Sequence, residues 1–372
     1  MQMSDYILLT GATGQIGRYL LRDLLLKGQS LAVLVRPGGD ASARQRIDEI
    51  MEQWEKELGQ SLPLPVCLEG DTNREFFGLN LHDRLWVKEN CGTLLHNAAS
   101  VAFGGNNGHT WDNNLGGAQR AIDVCRLGRI DHLVYVSTSY VCGKHNKTFY
   151  EDHLQVGQSF RNEYEHSKFA AETLIRDAGI PDLLTVLRPG IVVGDHNTGY
   201  STTFHSFYRY VQFTSLLANL VSRDDRGRWK NNVRINLSGH EKRNFVTVDW
   251  VSAAMAAIVL DARWHGRTYH LTPSQPTVAR EIEEALERFF QYEGVRFVGK
   301  TGLDTANSTS EEQRFYEYIA EYNDYWQDDP VFDRRNTNQA TESILEQRIG
   351  TDCLVRLIEF AVRNDFGRRR VK

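Results

Sequence analysis

Thr10-Gly11-Ala12-Thr13-Gly14-Gln15-Ile16-Gly17-Arg18 stands between the apolar run Tyr6-Ile7-Leu8-Leu9 and the helical pattern that opens at Tyr19-Leu20-Leu21. A glycine turn between strand and helix lets backbone N–H groups approach an anion, while the helix start adds partial positive charge. Gly11 and Gly14 permit the sharp turn, Gly17 allows the helix to lie close on the strand, and Thr13, Gln15 and Ile16 complete the loop. In that context the stretch reads as a cradle for the pyrophosphate of a dinucleotide.

Outward from the loop, short β-branched or Leu-rich runs alternate with longer helical patterns. That alternation predicts an α/β fold, a doubly wound parallel sheet of Rossmann type. Strands are expected at Tyr6–Thr10, Leu31–Val35, Val66–Glu69, Thr93–Asn97, His132–Ser137 and Leu184–Arg188. Past Asp195 the rhythm changes: aromatic and His residues crowd Tyr200–Phe213, and a polar stretch covers Ser222–Asn232. The expected division is therefore a dinucleotide-binding domain over residues 1–200 and a smaller, mostly C-terminal substrate-binding region over 201–372. Residues 233–262 look like strand, turn and helix, with Asp249 as the helix cap, and are expected to return to the first domain. Phe315, Ile319, Tyr322 and Trp326 recur at helical spacing and predict a helix face packed on a core.

After the second strand, Leu34-Val35-Arg36-Pro37 places arginine where an NAD enzyme would place an acid for the ribose 2′-hydroxyl. Arg36, with Arg46 at the next helix start, suits a 2′-phosphate instead, which favours NADP(H). A solvated surface arginine is the plainer alternative. Asp71, after the third strand, faces two readings, a contact with the adenine edge and an Asp cap of the following turn.

Between the fifth and sixth strands stand Ser137-Thr138-Ser139 and then Tyr164-Glu165-His166-Ser167-Lys168. Tyr164 and Lys168, four apart, share a helix face. Beside a cationic Lys168 and an oxidised nicotinamide the Tyr164 phenol is expected to acidify and serve as proton donor. Thr138 would hold the substrate carbonyl, although Ser137 and Ser139 flank it closely.

In this order and spacing the set resembles the extended branch of the short-chain dehydrogenase/reductase superfamily. Within it, His96-Asn97-Ala98-Ala99-Ser100, Val136-Ser137-Thr138, Tyr164 to Lys168 and Arg188-Pro189-Gly190-Ile191-Val192-Val193-Gly194-Asp195 look like the fatty acyl and thioester reductase group, the NAD-binding domain of male-sterility type. The resemblance implies Thr138, Tyr164 and Lys168 as catalytic residues, and Asn97, Ala98, Ala99, Lys168 and Pro189 as cofactor contacts. It also implies an oxidoreductase reducing a CoA- or carrier-bound acyl thioester to aldehyde or alcohol, and a homodimer. Nothing before Met3 resembles an adenylation or carrier domain, so the substrate is expected to arrive from elsewhere.

Rival readings share the site. A ketone or aldehyde reductase of hydroxysteroid or flavonoid type uses the same Thr/Tyr/Lys chemistry. A nucleotide-sugar epimerase shares the Tyr/Lys pair, whereas dehydratases place Asp-Glu after the catalytic Thr and this chain has Ser139-Tyr140. A cofactor sensor without turnover would be expected to lack Tyr or Lys. For the substrate, Ser100, Phe103, Tyr140, Phe160, Phe204, His205 and Tyr208 are the candidates, with core packing as the plainer role for most.

Composition narrows the rest. A net charge of −5 speaks against a nucleic-acid binder, and the terminal Arg368, Arg369, Arg370 and Lys372 read as a solvated end. Five widely spaced cysteines contain no C-x-x-C pair, which predicts buried thiols in a reducing cytoplasm and no metal centre. No export signal is expected ahead of the first strand, and Val251–Leu260 is too short to span a membrane.

Overall fold

The structure is a computed structural model, and it describes residues 6–101, 109–127, 130–180, 183–220, 222–303, 307–325 and 328–368. The chain divides into two compact units. Unit 1 comprises Met1–Gly190, Trp250–Leu271 and Pro330–Leu345, and unit 2 comprises Ile191–Asp249, Thr272–Asp329 and Glu346–Lys372.

Unit 1 is built on strands β1 (Tyr6–Thr10), β2 (Leu31–Val35), β3 (Val66–Glu69), β4 (Cys91–His96), β5 (His132–Val136), β6 (Leu183–Pro189) and β7 (Thr268–Leu271). They form one seven-stranded sheet in the order β7-β6-β5-β4-β1-β2-β3, and every pairing is parallel. Every residue of β2 and β5 is buried, as a parallel strand covered on both faces requires. The helices that connect and cover them include α1 (Gln15–Leu26), α2 (Ala43–Leu58), α3 (Leu81–Asn90), α4 (Gly117–Cys125) and α5 (Glu163–Ala178). Ala118, Ala121 and Ile122 of α4 and Ala171 and Ile175 of α5 join Leu8, Leu94, Leu133 and Val186 of the sheet in one core cluster. Each fully buried Leu or Val there contributes about 2 kcal/mol from apolar transfer.

All six expected strands are present. β7 is an addition, pairing Thr268–Leu271 with Val186–Pro189 of β6. Since the sheet is parallel, the glycine loop, Arg36, Asp71, Asn97, Ser137 and Gly190 all follow carboxyl ends of strands and meet at one edge. The strand order reverses between β1 and β4, which is where open α/β sheets form a crevice.

Unit 2 has its own core, drawn from helices Phe207–Ala218, Ala279–Phe290 and Thr351–Arg363 and from short strand pairs. Phe315 and Ile319 belong to that core, but the helix carrying Phe315 runs only from Ser310 to Tyr318 and a 3-10 turn follows over Ala320–Tyr325; Trp326 lies outside the described residues. Asp249 is no N-cap either. It lies within the first turn of the helix Val248–Leu260, where its carboxylate accepts the His196 N–H at 3.0 Å. All five cysteines are free, four of them buried and Cys67 partly exposed. Among the described residues no helix is long and apolar enough to cross a membrane, and no group of His, Cys, Asp or Glu is arranged to hold a metal ion.

Candidate active site

The glycine loop closes on itself and on β4. Gly11 has φ +72°, and a Cβ on it would stand 2.9 Å from the backbone of Ala98. A Cβ on Gly17 would stand 1.9 Å from the Gly11 carbonyl oxygen, so no side chain fits there. Gly14 is the N-cap of α1 without a side-chain cap, and the first turn carries no acid. Its leading N–H groups therefore have the arrangement an anion requires, and the cradle fits a dinucleotide pyrophosphate.

One hydroxyl locks the loop to the next strand. Thr10 Oγ1 accepts the N–H groups of Asn97 and Ala98, each at 3.1 Å, and lies 3.0 Å from His96 Nδ1. With both lone pairs engaged, the hydroxyl proton points to His96, which is held neutral: burial and then the Lys168 charge push its imidazole down to about 3. Asn97 Nδ2 adds a bond to the Gly11 carbonyl at 3.3 Å.

At the end of β2, Arg46 reaches back from the first turn of α2, a turn fixed by a capping box between Ser42 and Gln45. Its guanidinium donates to the Arg36 carbonyl at 2.6 Å and to Thr13 Oγ1 at 3.2 Å. Arg36 points into solvent and lies 3.8 Å from Asp71. The structure thus brings Thr13, Arg36, Arg46 and Asp71 together beside the glycine loop.

On the other side of the crevice, Thr138 caps a 3-10 turn, its Oγ1 accepting the Tyr140 N–H at 3.3 Å, and its hydroxyl is hydrogen-bonded to Tyr164. Helix α5 presents Tyr164 and Lys168 from a firmly held start: Asn162 caps it, and the fully buried Glu165 accepts the N–H of Arg161 and pairs with its guanidinium. Lys168 is buried and donates to the Tyr135 hydroxyl at 2.9 Å and the Val136 carbonyl at 2.8 Å. Burial brings its ammonium down to about 7, against the opposing charge of Glu172. Burial also pushes the Tyr164 phenol up to about 12, with only the Thr138 hydrogen bond pulling it down. In the chain by itself burial dominates the Tyr164 phenol; the acidification expected beside an oxidised nicotinamide belongs to the cofactor-bound protein.

Asn114, Tyr135 and Glu172 were not singled out in the sequence. Asn114, in a π-helical turn Asp112–Gly116 ahead of α4, accepts the Ser100 N–H at 2.9 Å and donates to the Ser100 carbonyl at 3.1 Å and to Ser167 Oγ at 3.0 Å. It thereby ties the segment after Asn97-Ala98-Ala99 to the helix of Tyr164. Tyr135 holds Lys168, and a buried pair formed by Glu172 and Arg188 anchors α5 to β6, with Arg188 Nη2 2.6 Å from Glu172 Oε1. A π-turn and a tyrosine or acid inside an apolar element are the available signals, and all are weak without coordinates.

The substrate candidates fall in both units. Tyr140 is buried edge-on to Phe332, and Phe160 stacks on His166 of α5 at 4.8 Å. Phe204 packs against Tyr208 and Phe366 in unit 2, where Tyr208 is core and His205 is exposed. Phe103 lies outside the described residues. Pro189 is buried at the end of β6.

A family model described as male sterility protein, an NAD-binding domain, matches residues 9–255. The chain belongs to this male sterility family. A nonribosomal peptide synthetase of Aspergillus flavus is 26% identical over 295 residues, 74% of this chain and 27% of that synthetase. A putative fatty acyl-CoA reductase of Drosophila melanogaster is 32% identical over 146 residues, 36% of this chain and 28% of that protein. The matched stretch is thus under a third of either relative. Among solved structures, the terminal R domain from the myxalamid PKS-NRPS biosynthetic pathway superposes with a TM-score of 0.77 at 24% identity, covering 99% of this chain and 93% of that one. This last likeness establishes the shared fold.

Proposed function

We propose that the chain is an NADPH-dependent reductase of acyl thioesters, in which Thr138, Tyr164 and Lys168 handle the carbonyl. The observation that carries this reading is the hydrogen-bonded Thr138–Tyr164 pair, one helical turn from Lys168, at the same sheet edge as the glycine cradle. The putative fatty acyl-CoA reductase among the relatives supports a thioester, and an aldehyde reductase of Aspergillus flavus among them supports the free-carbonyl alternative. In this reading residues 1–200 serve the dinucleotide, and 201–372 serve the substrate.

Bound NADPH supplies a hydride to the carbonyl carbon. Gly11, Gly14 and Gly17 leave room for its pyrophosphate, Arg36 and Arg46 meet the 2′-phosphate, and Asn97, Ala98, Ala99 and Pro189 line the cofactor side. Thr138 holds the carbonyl oxygen by its hydroxyl. Tyr164, kept protonated by burial, gives that oxygen its proton, which completes a hemithioacetal. Breaking the C–S bond then releases a thiol on its CoA or protein carrier and leaves the aldehyde. Lys168, brought down to about 7, is suited to pass a proton to Tyr164 near neutral pH.

The test is oxidation of NADPH and of NADH against matched acyl-CoA thioesters, aldehydes and ketones. Turnover of the thioester with NADPH is the expected result. Turnover of aldehydes or ketones alone would replace this reading with a simple carbonyl reductase.

A further inference from the structure

Thr138 and Tyr164 come from separate pieces of unit 1, the 3-10 turn Ser139–Cys142 that Thr138 caps and the first turn of α5. The segment that joins them returns so that Arg161 touches both. Arg161 Nη1 donates to the carbonyl of Gly143, the residue that ends the Thr138 turn, at 2.6 Å. The same nitrogen donates to Glu165 Oε1 in the first turn of α5 at 3.2 Å, and the Arg161 backbone N–H donates to Glu165 Oε2 at 3.0 Å. Two further bonds fasten the same segment to the turn: Lys144 N–H donates to the Ser159 carbonyl at 2.8 Å, and Gln158 Nε2 to the Val141 carbonyl at 2.8 Å. Glu165 is fully buried, and the Arg161 side chain is 11% exposed. A buried ion pair adds little net stability over apolar side chains of the same shape, because both charges give up water. What it supplies is a single arrangement, since a slide of turn against helix would leave a buried carboxylate without its counter-charge.

We propose that Arg161 and Glu165 are positioning residues of the carbonyl site: through Gly143 they fix the turn of Thr138 against the helix start of Tyr164, and so bring both hydroxyls to one carbonyl oxygen. The role rests on the assignment of Thr138 and Tyr164 above, whichever carbonyl is the substrate. Arg161 and Glu165 act through those two side chains and not on the reacting atoms. The placement of the carboxylate serves the same end. Burial first, and then the Glu165 charge, oppose loss of the Tyr164 proton against the Thr138 hydrogen bond, so the proton donor stays loaded.

The experiment is a double-mutant cycle on the full chain, read as kcat, with Arg161→Leu made alone and in Tyr164→Phe and with whichever carbonyl substrate of the panel above is reduced. Arg161→Leu is expected to lower kcat by about 10- to 100-fold, as misplacing a reacting group does, while the KM for NADPH changes by less than about twofold. Arg161→Lys, whose ammonium carries enough donors for both acceptors, should recover part of that loss. In Tyr164→Phe the same Arg161→Leu change should cost less than about threefold, because the hydroxyl it places is gone. A merely structural role would lower kcat by the same factor in both backgrounds. Each variant's melting temperature reports whether it folds; should Arg161→Leu fail to fold, Glu165→Gln, which keeps the side-chain shape and one acceptor, takes its place in the cycle. Unchanged kcat in a folded Arg161→Leu, or equal losses with and without the Tyr164 hydroxyl, would overturn the proposal. Undiminished turnover in Tyr164→Phe alone would remove Tyr164 as proton donor, and the positioning role with it.

Discussion

The Lys168 ammonium donates to the Tyr135 hydroxyl at 2.9 Å and lies 4.4 Å from the centre of the same ring, so one strand residue holds the lysine by both its oxygen and its π face. In Tyr135→Phe the oxygen that accepts from charged Lys168 is removed, while burial remains. Burial already brings Lys168 down to about 7, and loss of the acceptor lowers it further. If charged Lys168 supports turnover, the alkaline limb of the kcat/KM profile moves to lower pH. A fall of about tenfold at pH 8, with a smaller loss at pH 6, is expected from one charge-assisted hydrogen bond. An unmoved limb would show that Tyr135 does not tune the lysine.

Glu172 and Arg188 are both fully buried and joined by two hydrogen bonds, at 2.6 and 3.1 Å. Burial alone would raise the Glu172 carboxyl, but Arg188 and then Arg176 bring it down to about 2 from 4.5. A depressed carboxylate contributes stability above its unfolded value and loses it as pH falls toward the folded one. Wild-type stability should therefore decline between about pH 4.5 and 2, by urea midpoint. Glu172→Gln should lower stability at pH 7 by about 3–5 kcal/mol, since it leaves Arg188 buried without its counter-charge, and should flatten the acid decline.

Arg36 and Arg46 differ in what else they hold. Arg36 is exposed, and its guanidinium meets Asp71 at 3.8 Å, so Arg36→Ala should raise the KM for NADPH by about 10- to 100-fold and leave that for NADH unchanged. Arg46 also supports Thr13 and the Arg36 carbonyl. Arg46→Ala should therefore weaken both cofactors. Equal, unchanged KM values in Arg36→Ala would remove the 2′-phosphate assignment.

Tyr164→Phe keeps the ring in its partly buried site and removes the proton. It should lower kcat by about 100-fold or more while NADPH still binds, as followed by fluorescence. Undiminished turnover would transfer the role to another group.

Much of this frame was readable in the chain. β1, β2 and β3 have the expected ends because each apolar run is bounded by turn residues, and β4, β5 and β6 differ by two residues or fewer. β7 was not readable: Thr268-Tyr269-His270-Leu271 has no apolar run, and His270 is buried because Arg188 and the Asp333 carbonyl meet its ring nitrogens. In the site, contiguous motifs such as Gly11 to Gly17 and Tyr164 to Lys168 were legible. Thr10 with His96, Asn114 with Ser167 and Tyr135 with Lys168 were not, since each pair is made only when separate elements meet. The Phe315 helix looked longer than it is because Ile319 continues the spacing after the helix has ended at Tyr318.

The most direct measurement uses NADPH carrying deuterium at both nicotinamide C4 positions with an acyl-CoA thioester, and reads the trapped product by mass spectrometry. One deuterium on the aldehyde carbon, with free CoA released in equal amount, is the predicted result. Aldehyde without deuterium, or deuterated NADPH left unconsumed by the thioester while a ketone is reduced, would contradict the account.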